Sequence, residues 1–339
     1  MTKFQKPLML RSLHSRRLEA RGASPPLCRN LSDALGRLPS GKHIVRNVTD
    51  PLAPINAAVA QAFVAACEAE LAAPKPGNVH HFAPGHGMEA RDFIESARAA
   101  APFIAAPGAS VGQRIFGAVE ATWAAVDQNT NLGIILLCAP LAHAVLTAES
   151  PDLRRETARV LAALDVADAN AAFRAISRAN PAGLGAAKEH DVSGPARTSL
   201  LEAMRASADR DRIGYQYAND FVDIFETGLD ALQRARARGH DAPRATLETY
   251  LAFLAAFPDS HIVRKYGIEK ARAVREDATC AAARIESAPQ RDEAFALALD
   301  FDQNLKKNKI NPGTSADLTV GVLFADSLPA ILAKAHKNG

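Results

Sequence analysis

Apolar positions along this chain recur at intervals of three and four rather than alternating at two, the period of helices buried on one face. Ile55 to Ala73 reads as an alanine-rich helix, stopped by Pro74-Lys75-Pro76-Gly77 because proline lacks an amide proton and disfavours helix in the preceding residue. Arg91 to Ala106 follows and ends at Pro107-Gly108. Ser110, with Gln113 three residues on, has the spacing of a capping box and opens a helix to about Asp127. The run Ile134 to Leu141 is apolar on every side and predicts a fully buried helix. Ser150-Pro151 marks the next N-terminus, with the missing amide proton where it costs nothing. Further helices are expected over 152–163, 166–178, 197–207, 211–238, 244–256, 268–286, 290–307 and 315–335. Within 211–238, Ile213, Tyr217, Phe221, Ile224, Phe225 and Leu232 form one stripe. No strand or hairpin signal competes. The pattern predicts an all-α fold, a single globular domain of about ten to twelve packed helices.

Composition narrows the class. A chain of 339 residues can bury a large core, and a net charge of +3 gives little support for a nucleic-acid partner. The longest apolar stretch, Ile134 to Ala142, is too short to span a membrane. Cys28, Cys67, Cys138 and Cys280 are widely spaced, with no paired motif, and read as reduced thiols in a cytoplasm. Residues 1–53 differ from the rest: Arg11, Arg16, Arg17, Arg21, Arg29, Arg37 and Arg46 face only Glu19, Asp33 and Asp50. They read as a basic, poorly ordered extension ahead of a helical domain over 54–339.

Three loops join a glycine or proline turn to polar groups. In the first, Glu70 precedes Pro74-Lys75-Pro76-Gly77-Asn78-Val79-His80-His81. Two prolines stiffen it, Gly77 would let a ligand approach the backbone, and Lys75 with His80 suits phosphate; a rigid connection with a solvated lysine is the bland alternative. In the second, Asn129-Thr130-Asn131-Leu132-Gly133 sets two carboxamides and a hydroxyl beside the apolar helix. Capping explains one of the asparagines but not easily both, which leaves the other for a polar ligand. In the third, Asn311-Pro312-Gly313-Thr314-Ser315-Ala316-Asp317, Thr314 and Asp317 have capping-box spacing. The same turn could instead bind anionic oxygens at Gly313, with Asp317 holding a metal or orienting a hydroxyl.

Over approximately residues 60 to 330, these ordered motifs, with Glu120 ahead of the second, resemble the triphosphoribosyl-dephospho-CoA synthase family. The resemblance implies an all-helical fold and attack by the ribose 2′-hydroxyl of 3′-dephospho-CoA on C1′ of ATP, with release of adenine. It implies ATP as substrate and Mg²⁺ held by carboxylates, with Glu70 and Glu120 as metal ligands and Asp211 and Asp317 as catalytic groups. Lys75, Gly77, Asn78, His80, Asn129, Asn131, Arg264, Lys265, Asn311, Gly313 and Thr314 would bind substrate. A homo-oligomer is compatible with this reading, and neither nucleic acid nor membrane is implied as partner. Where those synthases typically carry Asn-Thr-His-Lys-Gly, this chain has Asn129-Thr130-Asn131-Leu132-Gly133. That variant, with Asp211-Arg212-Ile213, Gln216-Tyr217 and Asp259-Ser260-His261-Ile262, looks more like an archaeal and methylotroph branch. There the resemblance implies a related nucleotide or ribosyl-phosphate transfer in tetrahydromethanopterin-type cofactor synthesis. A helical nucleotide-binding protein without catalysis is the third expectation.

Overall fold

A computed structural model describes residues 53–181 and 192–338. The basic extension expected over 1–53 falls almost wholly outside the described residues. Among the latter there is no strand, only the isolated bridges His80–Ala83 and Gly85–Met88. The helices are α1 (Ala53–Leu71), α2 (Ala90–Ile104), α3 (Val111–Val126), α4 (Leu132–Leu146), α5 (Leu153–Ala162), α6 (Val166–Ala179), α7 (Leu200–Arg205) and α8 (Arg212–Ala218). A π-helical segment, Asp223–Gly228, leads into α9 (Leu229–Ala237), then α10 (Ala242–Ala256), α11 (Ser260–Tyr266), α12 (Ile268–Ser287), α13 (Arg291–Lys307) and α14 (Gly313–Asn338).

Two apolar clusters make the core. The larger gathers α1 to α6 around α4, which is buried on nearly every side. The smaller gathers α10 to α13 and includes Leu247, Tyr250, Leu251 and Leu254 of α10. α14 packs against α1, α4 and α10, and so runs between the two. It is also long and apolar enough, by length and composition, to cross a membrane over Gly313–Ala335, which corrects the expectation that no such stretch exists. That window is 56% buried against the other helices, as the core helix of a bundle would be.

Local signals explain most boundaries. Ser110 and Gln113 form the expected box, with Ser110 N donating to Gln113 Oε1 (2.9 Å) and Gln113 N to Ser110 Oγ (3.3 Å). α5 is capped two residues later than expected: Asp152, not Ser150, accepts from Arg155 N (3.1 Å), so Pro151 precedes the cap. The single helix expected over 211–238 is broken after Ala218, where Asp220 and Phe221 adopt left-handed φ of 48° and 57°. Asp223 causes the break to close on itself. It accepts from Arg212 Nε (2.7 Å), Arg212 Nη2 (2.9 Å) and Gln216 Nε2 (2.5 Å), while its amide donates to Gln216 Oε1 (3.1 Å). The apolar stripe survives because Tyr217, Phe221 and Ile224 are all fully buried on the inner side of the turn.

Asp168 ties two of these helices together. Its Oδ1 accepts from Ser110 Oγ (2.6 Å) and Gly112 N (2.7 Å) at the start of α3, and its Oδ2 from Asp165 N (3.3 Å) at the start of α6. Asp168→Ala removes a buried acceptor shared by two helix starts and should lower the unfolding free energy by about 2 kcal/mol. Urea denaturation followed by circular dichroism checks this; an unchanged midpoint would show that the shared cap contributes nothing.

Candidate active site

After α1 the chain turns at Pro74-Lys75-Pro76-Gly77, and the turn is held from three sides. Tyr250 donates its hydroxyl to the Pro76 carbonyl (2.6 Å), and Gly77 N donates to Asp302 Oδ1 of α13 (2.8 Å). Gly77 has φ +83°, and a Cβ there would lie 2.8 Å from Pro312 Cδ and 2.9 Å from the Ile310 carbonyl oxygen. Its missing side chain therefore admits the segment before α14, not a ligand. Asn78 acts in the same joint: its Nδ2 donates to Asn311 Oδ1 (2.8 Å), and its Oδ1 accepts from Val79 N (2.8 Å). His80 Nε2 lies 3.4 Å from both Asp302 Oδ2 and Lys306 Nζ, and burial holds its pKa below the ordinary value. Gly77, Asn78, His80 and Asn311, expected to bind substrate, fasten the first motif to the third in the structure.

Lys75 and Glu70 were expected to meet phosphate and metal, but the structure pairs them. Both side chains are buried and in ion-pair contact. Burial pushes the Glu70 carboxyl up and the Lys75 ammonium down, and each partly restores the charge of the other. Glu120 joins neither; it faces α6, 3.4 Å from Arg178. The residues assigned to Mg²⁺ therefore do not fit a protein-held ion, and among the described residues no three His, Cys, Asp or Glu side chains converge as ligands.

The second and third motifs meet at Asp317. Gly133, in the first turn of α4, lies against this carboxylate, and a Cβ there would collide with Asp317 Oδ2 and come within 2.9 Å of Ile213 Cδ1. The close approach explains why a glycine closes the second motif. Asp317 makes no hydrogen bond or ion pair among the described residues. Burial, together with the negative charges of Asp259, Glu70 and Asp211, raises its pKa well above the ordinary carboxylate value, against the opposing effect of Arg264. The carboxyl therefore holds its proton to higher pH than an ordinary aspartate does. Asp211 caps α8, accepting from Ile213 N (2.9 Å) and Gly214 N (3.3 Å), and its other oxygen accepts from Arg264 Nη1 (2.5 Å). Lys265 is exposed, 5.3 Å from the Tyr266 ring centroid, and makes no contact with this group.

Two residues absent from the expected set organise the site. Asp259 is fully buried; its Oδ1 caps α11 through His261 N (2.9 Å) and Ile262 N (3.3 Å). Its Oδ2 caps α14 through Ser315 N (2.8 Å) and Ser315 Oγ (2.9 Å). Thr314 accordingly lies inside α14, its hydroxyl accepting from His261 N (3.2 Å), and no Thr314–Asp317 capping box forms. Gly313 is covered by the His261 ring: a Cβ there would sit 2.5 Å from Nδ1. The anion site expected at Gly313 and Thr314 is closed by α11. An aspartate followed by Ser260-His261 is a capping signal short enough to pass unnoticed, which is why the sequence reading missed α11 as an element.

In the second motif only one of the two asparagines caps through its side chain. Asn129 Oδ1 accepts from Leu132 N (3.2 Å), and Thr130 Oγ1 donates to Ser96 Oγ (2.6 Å). Asn131 is buried with its Nδ2 unpaired, beside a small enclosed cavity also lined by Glu70 and Cys67.

A family model described as ATP:dephospho-CoA triphosphoribosyl transferase matches residues 56–335. The chain belongs to that family. A protein of Azotobacter vinelandii bearing the name 2-(5″-triphosphoribosyl)-3′-dephosphocoenzyme-A synthase is 29% identical over 128 residues, 36% of this chain and 43% of that one. One of Klebsiella pneumoniae with the same name is 29% identical over 113 residues, 31% of this chain and 37% of that one. The matched segments thus span less than half of these relatives. A solved structure from Archaeoglobus fulgidus, bearing the name triphosphoribosyl-dephospho-CoA synthase, superposes with a TM-score of 0.53 at 24% identity and covers 68% of this chain and 95% of that one. It shows a shared fold.

Two predictions follow from the geometry of this transferase-family site. Lys75→Ala leaves the Glu70 carboxyl buried without its cation and should cost about 3–5 kcal/mol of stability, part of which Glu70→Gln restores in the double variant; denaturation of the single and double variants measures both. Asp317 works in the opposite sense. Because its folded pKa is raised, folding at neutral pH requires uptake of a proton that the unfolded chain has released, so the group costs stability there. That cost fades as pH falls toward 3.8, the ordinary carboxylate value. Asp317→Asn should therefore raise Tm at neutral pH and narrow its advantage on acidification; a lower Tm across the pH series would contradict a protonated, unpaired carboxyl.

Proposed function

We propose that this chain transfers the triphosphoribosyl group of ATP to the 2′-hydroxyl of 3′-dephospho-CoA, releasing adenine. Residues 54–339 form the catalytic domain, preceded by the basic extension. The observation that carries the reading is Asp317, a carboxyl without a hydrogen-bond or ion-pair partner among the described residues, set against Gly133 where the second and third motifs meet. Cleaving a ribosyl–adenine bond leaves an electron pair on the base and positive character at C1′. A carboxyl whose pKa is raised can deliver a proton to the departing adenine. Asp211, Asp259 and Glu70 lie close enough to act on Asp317 electrostatically, and the same negative field stabilises an oxocarbenium-like C1′. Arg264, half-buried with its Nε unpaired, is the cation placed to meet a phosphate. Mg²⁺ enters this reading as a complex of the ATP phosphates, since such ions keep few protein ligands. The reaction belongs in the cytoplasm, where ATP and acceptor are found, and needs neither nucleic acid nor membrane.

A second acceptor is favoured by one observation. Leu132 stands where the typical synthases carry lysine and is buried in the core, so a cation is replaced by an apolar contact. That change supports a related transfer to a tetrahydromethanopterin-type precursor. Mass spectrometry of purified protein incubated with ATP, Mg²⁺ and each acceptor distinguishes the two: adenine should appear only with the true one. Asp317→Asn should abolish its release while remaining folded. ATP binding without adenine release from any acceptor would leave a nucleotide-binding protein and sink the transferase reading.

A further inference from the structure

Asp317 supplies one proton, and a hydroxyl that attacks C1′ must lose another. Gly313 and Asp317 are four residues apart on α14, so they share one face, with Cβ directions about 5–6 Å apart. Gly313 is covered by His261, whose Nδ1 would meet a Cβ at 2.5 Å, and Asp317 is turned toward Gly133 of α4. An imidazole of α11 and a carboxyl of α14 therefore lie about one helical turn apart along α14, the first over Gly313 and the second against Gly133 of α4.

Two other imidazoles near the site are engaged through Nε2, although the buried Nδ1 of His80 is left without a partner. His80 Nε2 is held between Asp302 and Lys306, and His86 Nε2 lies 2.8 Å from the Gly77 carbonyl oxygen. The His261 ring makes no hydrogen bond among the described residues; only its backbone amide is engaged, by Asp259 and Thr314. The ring is held in place by packing while its nitrogens stay available. The charged groups facing it are Asp259, Arg264 and Lys265 of its own helix and cap, and His86 from the loop after α1. α14 presents only Gly313 and Thr314 to it directly, with Asp317 one turn further on.

We propose that His261 is the general base that takes the proton of the acceptor hydroxyl as it attacks C1′ of ATP, on the opposite side of the reacting carbon from Asp317. This rests on the transferase reading above. The step balances. The hydroxyl oxygen forms the new bond to C1′ and its proton passes to His261; the C1′–N9 bond breaks, its electron pair leaves with adenine, and the Asp317 proton neutralises the base. Return of the proton from the imidazolium through water to the Asp317 carboxylate resets both groups. Burial lowers the pKa of His261, helped by Arg264, Lys265 and His86 and opposed by Asp259, so the ring is neutral at pH 7 and able to accept. Acid and base are thus separated by environments that push them in opposite directions.

The pH dependence of adenine release tests the assignment. Wild-type kcat should fall on the acid side as His261 is protonated and on the alkaline side as Asp317 is deprotonated. His261→Ala should lower kcat by about 10²–10⁴-fold, leave KM for ATP little changed, remove the acid limb and recover part of its rate with added imidazole, which fits the space vacated above Gly313. Should the alanine variant not fold, His261→Gln removes the base while keeping the bulk and is read in the same way. A wild-type kcat, or an acid limb that persists in the variant, overturns the assignment while the transferase reading stands. If wild-type protein releases no adenine with any hydroxyl acceptor, the transferase reading falls and the assignment of His261 with it.

Discussion

Asp259 is a fully buried carboxylate that caps two helices at once, one oxygen serving α11 and the other α14. A helix start leaves amide protons without partners, and two such starts brought together need one acceptor strong enough for both. By meeting that need, Asp259 fixes the angle between α11 and α14. The angle decides what each helix carries into the site: His261 over Gly313 on one side, Asp317 against Gly133 on the other. The other motif is joined to the same frame through Asn78–Asn311 and Gly77–Pro312. Loss of the cap would separate acid from base without altering either group, so the chemistry depends on a residue that has no part in it.

The helical class and most helix positions were legible because they rest on local rules: period, prolines that stop helices, and the Ser110–Gln113 box. The family was legible because three motifs stand in order across a long separation. What stayed hidden was pairing. Lys75 and Glu70 each have the chemistry of a ligand-binding group, and only the fold shows that they bind one another. Asp302 and Lys306 carry no motif, yet they hold the first loop through Gly77 and His80. The break at Asp220-Phe221 escaped because the apolar stripe continues through it; periodicity reports which face is buried, not whether the helix is continuous. His261 was visible only as part of a branch signature, since nothing local distinguishes a ring that covers a glycine from one that faces water.

Stability and function pull apart at Asp317. In the joint between the first and third motifs, Gly77, Asn78, Asn311 and Asp302 all have partners at ordinary hydrogen-bond lengths, and only the buried His80 Nδ1 has none. One turn into α14 the chain sets an acid among other acids and gives it none. Neutral residues of the same size would pack there at lower cost, and a group retained against that cost is a functional candidate. The joint is what lets the site tolerate it, because the strain is confined to one side chain on an otherwise fixed frame.

Leu132 and Asn131 bear on how a triphosphate would be held. Leu132 opens α4 and is buried, so a lysine there would place its ammonium in the core at the positive end of a helix dipole, unfavourable on both counts. This chain's packing of α4 is thus built for an apolar residue. The first amide of that helix end is already taken by Asn129. Asn131, with an unpaired donor beside Glu70, offers a neutral polar contact in place of a cationic one. Neutral donors discriminate by shape and hydrogen-bond pattern more than by charge. In the transfer we propose, a neutral contact of this kind would favour groups recognised by their hydroxyls and amides.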